Sequence, residues 1–429
     1  MIRAQATLGR RVRAILVALS VPLTVNAQGG SGPPPPQVAT LTMADAVRLA
    51  LERNQGLRAQ RLTIDESKAD EITAALKPNL NFSFSTAGLS AFSPKQLTFS
   101  TADSIVAYDA GLGYTFERGG KREKRTTVAQ DTTDVTAKGV VDAERQLRFQ
   151  TEQAFVNVLL AKSTLDLTQE NLKNFSQVVD VNQQRVVAGD LAEGDFLPIS
   201  IQKLQFETDV SAAEIGLVQA RAALRQLVGF ETVPDNFDVT GDLAYGPHPA
   251  NLEDLKRDAL ASRPDLLGAQ SSLKLAQDSA ALARGNRARD VSGSVDYTRQ
   301  VDSNTLGVGV SFDLPFHDRN QGNILHADIA MRQAAESEAA VRFTVLTDVT
   351  TAFAAFQTSE KIVKLYESGY LDQTRRSLEI TTYAFQRGAT SLLNLLDAER
   401  TYRDTQIAYR QALATHMTNI RQLTFVVGK

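Results

Sequence analysis

Four short segments of strictly alternating apolar and polar residues constrain the fold of this chain more than any other feature. They come as two pairs, residues 80–85 with 108–116 and residues 291–297 with 306–314. Alternation of this kind is typical of a β-strand with one apolar and one polar face. Strands of about ten residues that alternate in this way also build the β-barrels of bacterial outer membranes.

Four strands are too few for such a barrel, since about eight is the smallest number in a single bacterial chain. An open sheet would leave unpaired backbone groups at its edges, and a lipid bilayer does not tolerate them. The strands therefore either pack in a soluble sheet or are shared between copies of the chain. Three copies would contribute about twelve strands, an even number within the known range.

The N-terminal residues have the composition of an export signal rather than of a buried helix. Four arginines precede an apolar run at residues 14–25, and small residues suited to cleavage follow it. We expect residues 1–27 to be a signal peptide and residues 28–40 to be a Gly/Pro-rich linker. No later stretch comes near 18 consecutive apolar residues, so the sequence predicts no membrane-spanning helix after the signal.

The composition excludes several functional classes. The chain has no cysteine, so we expect no disulfide, thiolate metal site, thiol nucleophile or lipid-anchor cysteine. Its formal charge of −3 becomes more negative without residues 1–27, which argues against nucleic acid as a partner. No catalytic triad, phosphate loop or paired-carboxylate pattern occurs, so the sequence predicts neither an enzyme nor a bound cofactor. The scattered histidines His248, His317, His326 and His416 are expected at the surface rather than on a metal.

Long proline-free stretches predict helices far longer than those of ordinary globular proteins. Residues 121–187 and 323–387 carry apolar residues at helical spacing. A continuous helix of about 65 residues would be roughly 100 Å long. Such lengths are typical of coiled-coil-like assemblies.

The two halves of the chain repeat one order of elements: helix, strand, strand, long helix, turn, long helix. Residues that match between the halves are Ala50 and Ala259, Leu57 and Leu266, Leu224 and Leu423, and Gly229 and Gly428. We predict a first repeat at 41–230, a linker at 231–250 and a second repeat at 251–429. The segment between the first two strands is longer than its counterpart in the second half, which is typical of a variable external loop.

With this duplicated order of elements, the chain resembles the TolC-like outer membrane efflux proteins. The resemblance covers roughly residues 41–428 and rests on residues 41–54 (LTMADAVRLALERN), on the duplicated strand pairs and on residues 392–400 (LLNLLDAER). Residues 314–324 and 188–197 resemble the CzcC-like heavy-metal branch. The resemblance implies a fold that is mainly α with β. In it, a homotrimer forms one twelve-stranded outer-membrane barrel, continuous with a periplasmic helical tunnel.

The same resemblance implies a function and partners. The trimer would be the passive exit duct of a tripartite efflux system, docked on a periplasmic adaptor protein and an inner-membrane pump of the resistance–nodulation–division type. Small solutes, heavy-metal cations among them, would be the cargo. A duct for drug efflux or type I protein secretion is an alternative. A periplasmic coiled-coil structural protein with a soluble sheet is an alternative of another class.

The resemblance also implies gate residues near the periplasmic end of the tunnel. The motif match assigns this role to Asp397 and to Asn394 one turn earlier, although Asn394 lacks the acid of some members. Asp195 corresponds to Asn394 in the first repeat and would supply the missing carboxylate. Three copies of such an acid would favour cations. The alternative is an ordinary solvated aspartate near a helix start, stabilised by the helix dipole.

Two glycine turns are the candidates for the adaptor-docking end. Gly189 with Asp190 and Gly388 with Ala389 each follow a long helical stretch. A glycine here is expected to end its helix in the left-handed conformation.

The apolar faces of the alternating segments are predicted to contact outer-membrane lipid. The residues predicted to face lipid are Leu80, Phe82, Phe84, Leu112, Tyr114, Phe116, Val308, Val310 and Phe312.

Overall fold

The computed structural model describes four stretches of the chain, residues 40–87, 107–246, 250–300 and 303–428. The predicted signal peptide, all but the last residue of the predicted Gly/Pro-rich linker, most of the predicted external loop and His248 lie outside these residues.

The described residues are mostly helical. Their α-helices are α1 (Met43–Arg53), α2 (Gln55–Ala75), α3 (Lys121–Ala188), α4 (Glu193–Val228), α5 (Leu252–Ser262), α6 (Pro264–Gly285), α7 (Gln321–Leu365), α8 (Leu371–Gln386) and α9 (Leu392–Val427). The strands are β1 (Thr40–Leu41), β2 (Asn81–Ala87), β3 (Ala107–Phe116), β4 (Asp238–Val239), β5 (Val291–Gln300) and β6 (Ser303–Phe312). The order helix, helix, strand, strand, long helix, long helix occurs twice, except that the first long helix of the second repeat is divided into α7 and α8. The sequence predicts this order with a single helix before each strand pair, where the structure has two.

The four alternating segments form one antiparallel sheet in the order β2-β3-β5-β6. The two hairpins of the two repeats meet at β3 and β5, so β2 and β6 are the outer strands. A second, parallel pairing of β1 with β4 joins the start of the first repeat to the segment between the repeats. The sequence analysis does not include this pair, because two residues are too few to show alternation.

Residues that match between the halves occupy equivalent places. Ala50 and Ala259 are both fully buried, as are Leu224 and Leu423 to within 1 %. Gly229 and Gly428 follow the last residues of α4 and α9 with positive φ angles of 100° and 90°. The duplication seen in sequence is therefore a duplication of packing.

Each repeat has its own hydrophobic cluster. In the first, α1, α3 and α4 contribute Leu49, Phe155 and Leu224. In the second, α7 and α9 contribute Val345 and Leu423, among others. Both clusters lie where three or more helices run side by side, so burial rather than intrinsic propensity stabilises most of this helical structure.

A third cluster holds the α3–α4 hairpin together near its turn. Its members are Phe175, Val179, Ile199 and Phe206, all nearly inaccessible to solvent. The rings of Phe175 and Phe206 stack with centroids 4.6 Å apart. Leu392 and Leu396 of α9 pack against this cluster, which brings the start of α9 beside the end of α3.

The long helix predicted for residues 323–387 is wrong in one respect, because it is broken. α7 and α8 are separated by a π-helical turn, Tyr366–Tyr370, in which Gly369 has φ 129°. That conformation is accessible to glycine at little cost and strained for other residues. By contrast, α3 runs without a break for 68 residues, roughly 100 Å.

The helical stretch Gln321–Gln386 is long and apolar enough to cross a membrane by length and composition alone. The expectation of no such helix overlooks it, because its apolar residues are not consecutive. Val345 and Val349 on this stretch are fully buried against α5 and α9 in the second cluster. This part of its apolar stripe therefore serves packing inside the protein, whereas other apolar residues of the same stretch, such as Phe343, are exposed.

Candidate functional site

The register of the sheet collects the apolar residues of the alternating segments on one face. Phe82, Leu112, Val295 and Val308 lie directly opposite one another across the four strands. Residues that are directly opposite in antiparallel strands point to the same face. Phe82 is 67 % and Val308 79 % exposed in a single chain, so none of the described residues covers this face.

The predicted lipid-facing residues can now be located. Eight of the nine lie within β2, β3 and β6, on this apolar face, and Leu80 immediately precedes β2. The register adds residues that the candidate list omits. They are Val291, Val295 and Tyr297 of β5 and Leu306 of β6. The alternation of those two strands carries the signal that would have identified them.

The opposite face of the sheet is polar and closely packed. Ser83, Gly111, Asp296 and Gly307 form one row across it. The Asp296 carboxylate accepts a hydrogen bond of 2.9 Å from Ser294 Oγ and lies so close over Gly111 that a Cβ there would clash. Small residues and carboxylates give this face the character of a water-facing wall.

The two predicted docking turns end helices as expected and lie at the same end of the protein. Gly189 has φ 82°, and the backbone N–H of Asp190 donates to the carbonyl of Arg185 at 2.8 Å. Gly388 has φ 67°, and Ala389 makes the equivalent bond to the carbonyl of residue 384, also at 2.8 Å. These are left-handed C-caps of the kind that glycine favours.

The structure brings two of the three gate candidates together. Asn394 and Asp397 line a polar depression of about 310 Å³ between α8 and α9. Asn394 donates from Nδ2 to Thr390 Oγ1 at 2.9 Å, and Asp397 pairs with Arg400 at 3.2 Å. Asp397 is exposed, which suits a carboxylate that acts on a solute in water.

Asp195 does not take part in that depression. It is the third residue of α4, as Asn394 is the third residue of α9, so the predicted equivalence holds at the level of the helix. Its side chain is exposed in the first turn, where the helix dipole stabilises a negative charge.

A larger cavity on the other side of α9 was not predicted from the sequence. It has a volume of about 590 Å³ and lies between α3, α8 and α9. Glu399 lines it, and burial raises the pKa of this carboxyl above its ordinary value, against the opposing effect of Arg403. Glu399 belongs to the motif at residues 392–400, but the cavity depends on a gap between α3 and α8 that no sequence pattern shows.

The three histidines within the described residues do not form a site. His317 and His326 are exposed as expected, whereas the surface expectation is wrong for His416, which is fully buried. His416 is buried because α9 packs against α7 and against the segment between the repeats, whose Tyr245 ring lies 5.4 Å from the imidazole. In the described part of the chain, no group of three or more His, Asp or Glu residues is placed to hold a metal ion.

The family model for outer membrane efflux proteins matches residues 46–230 and 255–429, which is most of the chain. The chain belongs to the outer membrane efflux protein family. Its location is the outer membrane, and it serves as an efflux duct rather than as an enzyme. The mainly α fold with a small sheet, inferred from sequence and seen here, is the fold of that family.

Individual relatives of this efflux protein include a metal resistance protein and an outer membrane lipoprotein. The cobalt-zinc-cadmium resistance protein CzcC of Cupriavidus metallidurans is 24 % identical over 391 residues, which cover 91 % of this chain and 90 % of CzcC. The probable outer membrane lipoprotein SilC of Salmonella typhimurium is 25 % identical, with 86 % and 81 % of the chains covered.

Solved structures share the fold of this efflux protein. The crystal structure of CusC superimposes with a TM-score of 0.75 at 20 % identity and covers 90 % of this chain and 92 % of CusC. The CmeC outer membrane channel of Campylobacter jejuni also has a TM-score of 0.75, at 15 % identity, with 90 % and 85 % covered.

Proposed function

We propose that three copies of this efflux protein close into one channel. The observation that carries the proposal is the position of the free edges in the sheet. β2 and β6 are the outer strands, and the four strands alternate in direction, so β6 of one copy is antiparallel to β2 of the next. Three copies joined in this way form a barrel of twelve strands with no open edge, as lipid requires.

The helices have the same order as the strands. Next to the sheet, α2 packs on α3, α3 on α6 and α6 on α7, which makes α2 and α7 the outer members of the row. Further from the sheet, α4 packs on α3, α3 on α9 and α9 on α7 and α8. In the sheet and in both helix rows, elements of the first repeat thus lie at one edge and elements of the second repeat at the other. A single rotation from one copy to the next can therefore join the sheets and the helices at the same time.

This arrangement supports a duct through which solutes pass without chemistry. The apolar face of the sheet turns to lipid and the polar face, with Asp109 and Asp296, turns to the water-filled lumen. The number of chains in the channel can be tested by measuring the mass of the purified protein in detergent. A mass of three chains supports the closure, and a monomer or dimer would contradict it.

The gate of the duct is proposed at Asp397 and Asn394. These residues lie at the start of α9, at the end of the protein opposite the sheet, where three copies of the carboxylate would approach one another and attract cations. Asp195 would add a second negative position from the first repeat.

The gate assignment is tested by the conductance of Asp397→Asn in planar bilayers. Loss of the carboxylate should lower the preference for cations over anions and weaken block of the closed state by multivalent cations. Asp372→Asn is the matched control, because Asp372 is also exposed and pairs with an arginine three residues later at 3.1 Å. Equal changes in both variants, or none in Asp397→Asn, would refute the gate.

The cargo is proposed to be heavy-metal cations. Two features support this: the acidic candidates at the gate, and the similarity over nine tenths of the chain to a cobalt-zinc-cadmium resistance protein. A deletion strain should become sensitive to such metals and keep its tolerance of organic drugs. Sensitivity of the deletion strain to organic drugs alone would contradict the metal cargo and favour a role in drug efflux.

The turns at Gly189 and Gly388 are proposed to dock on a periplasmic adaptor, which in turn connects to an inner-membrane pump. They are exposed, lie at the same end, and are distant from the sheet by the length of α3. Cross-linking from Asp190 and Ala389 in cells should capture a periplasmic protein of the same efflux system. Cross-links only to lipid or to cytoplasmic proteins would exclude this role.

A further inference from the structure

The junction between β3 and α3 has a charge opposite to that of the chain. Residues 117–125 contain five cationic and two acidic side chains, although the whole chain carries a formal charge of −3. This junction lies where the strands end and the helices begin. In a barrel it therefore lies at the periplasmic surface of the membrane.

A cavity of about 370 Å³ opens at this junction. Tyr114 and Phe116 form its upper wall, and both belong to the apolar face of the sheet. Lys77 and Arg122 lie below them. A cavity with aromatic rings on the membrane side and cations on the water side matches the two parts of a phospholipid.

Several charges at the cavity are already paired. Lys121 binds Asp290 at 2.8 Å, and Glu117 binds Arg125 at 2.7 Å. These pairs leave the cavity with the cations Lys77 and Arg122 and one acid, Glu123.

Lys77 and Arg122 have no ion-pair partner among the described residues. Lys77 is exposed and Arg122 is half-buried. An ammonium and a guanidinium without carboxylate partners are suited to a phosphate group, which accepts hydrogen bonds from both.

We propose that this cavity, formed by Lys77, Arg122, Tyr114 and Phe116, binds the phosphate headgroup of an anionic phospholipid in the periplasmic leaflet of the outer membrane. The acyl chains would lie along the exposed apolar face above, which begins at Leu80 and Phe116. The continuity of cavity and apolar face favours a lipid over a free phosphate. Three copies would place three such cavities around the barrel and anchor it at a defined depth.

The proposal rests on insertion of the sheet in lipid, as proposed above. Insertion of the sheet and binding of the headgroup in the cavity can be tested separately. Flotation with vesicles of pure phosphatidylcholine reports insertion, whereas preference for an anionic headgroup reports the cavity. If the protein floats with these vesicles but has no preference for anionic lipid, the proposed duct stands and the proposed lipid site in the cavity is rejected.

The measurement is native mass spectrometry of the full chain in non-ionic detergent, titrated with phosphatidylglycerol or phosphatidylcholine. Each cation near an anionic bilayer surface contributes a preference of about five-fold. The double variant Lys77→Gln with Arg122→Gln should therefore lose about five- to thirty-fold in phosphatidylglycerol affinity and little in phosphatidylcholine affinity. The matched control is Lys361→Gln with Arg376→Gln, which removes two exposed cations from α7 and α8.

Four results would overturn the proposal. The first is equal affinity of the wild-type protein for the two lipids, and the second is an equal loss in the control variant. The third is a double variant that weakens the trimer in the absence of lipid, because the cavity would then hold a neighbouring copy. Glycerol 1-phosphate at the same concentrations should not displace the lipid, and full displacement would assign the cavity to a soluble phosphate instead.

Discussion

The two helical hairpins of this efflux protein come from one repeated pattern, yet they are packed differently. In the first hairpin, α3 is unbroken and the stacked rings of Phe175 and Phe206 bury its contact with α4. In the second, the helix is broken at Gly369, and α8 has no buried residue in a single chain. Within a single chain, α8 is therefore held by fewer buried contacts than the helices of the first hairpin.

From this difference we predict that the second hairpin, rather than the first, would move in an opening of the duct. Segments with few buried apolar contacts open at the lowest free energy, and a bend at a glycine is a place where a helix can change direction. The gate candidates Asn394 and Asp397 are on the second hairpin, whereas Asp195 is on the first. Movement of α8 and α9 against a fixed first hairpin would change the separation of the gate carboxylates.

The largest effect is expected from a substitution in the buried contact between α3 and α4 of the first hairpin. Phe175→Ala should lower the free energy of unfolding by about 3–5 kcal/mol, because it removes a buried ring and leaves a cavity. Ile380→Ala on α8 is the control: it is 69 % exposed and should cost less than about 0.5 kcal/mol. Thermal unfolding of the purified protein checks both, and a similar cost for the two would show that the hairpins are equally packed.

The next effect concerns the bend. Gly369→Ala should cost about 1–3 kcal/mol, since its φ of 129° is strained for any residue with a Cβ. Gly139→Ala lies in the unbroken helix α3, where a Cβ would meet nothing within 4 Å, and should stabilise by up to about 1 kcal/mol. Opposite signs in thermal unfolding support the contrast. A stabilising Gly369→Ala would mean that the bend is dispensable.

A smaller effect depends on pH. Burial raises the pKa of Glu399, so the folded protein binds this proton more tightly than the unfolded chain does. Stability should therefore fall as the pH rises from the ordinary pKa of a glutamate through the raised one. Glu399→Gln should remove that part of the fall. Unfolding measured between pH 4 and pH 8 compares the two proteins, and parallel curves would rule out the linkage.

The smallest effect is expected at the surface of the second hairpin. Arg400→Gln breaks the exposed pair with Asp397, whose side chains are both 66 % exposed, and should change the unfolding free energy by less than about 1 kcal/mol. A change in channel conductance without a change in thermal unfolding would separate a role in the gate from a role in stability. A large loss of stability would instead identify the pair as a structural contact.

The sequence predicts the four alternating strands, the duplicated order of elements and the helix-ending glycines with good accuracy. Each depends on local chemistry: the two-residue period of a strand, the spacing of a helix, and the left-handed φ of Gly189 and Gly388. The bend at Gly369 and the burial of His416 were not predicted. A glycine within a helical pattern does not by itself indicate a break, and a histidine becomes buried only when a distant segment covers it.

The candidate site divides in the same way. Motif comparison assigns Asn394 and Asp397, and the structure places both in one depression because α8 and α9 run side by side. Asp195 matches them in sequence position but lies on another hairpin. The cavity beside Glu399 and the cationic cavity below Phe116 arise from gaps between helices and strands that are far apart in the chain.

The sequence by itself therefore determined the elements and the faces of this protein, and the shortage of strands that calls for more than one copy. Only the tertiary structure decided the order β2-β3-β5-β6 and the matching order of the helices, and with them the edges at which copies can join. The physical reason is the distance along the chain over which each kind of interaction acts. Periodicity and turn chemistry act over a few residues, whereas the order of neighbours follows from which apolar faces bury one another across the whole chain.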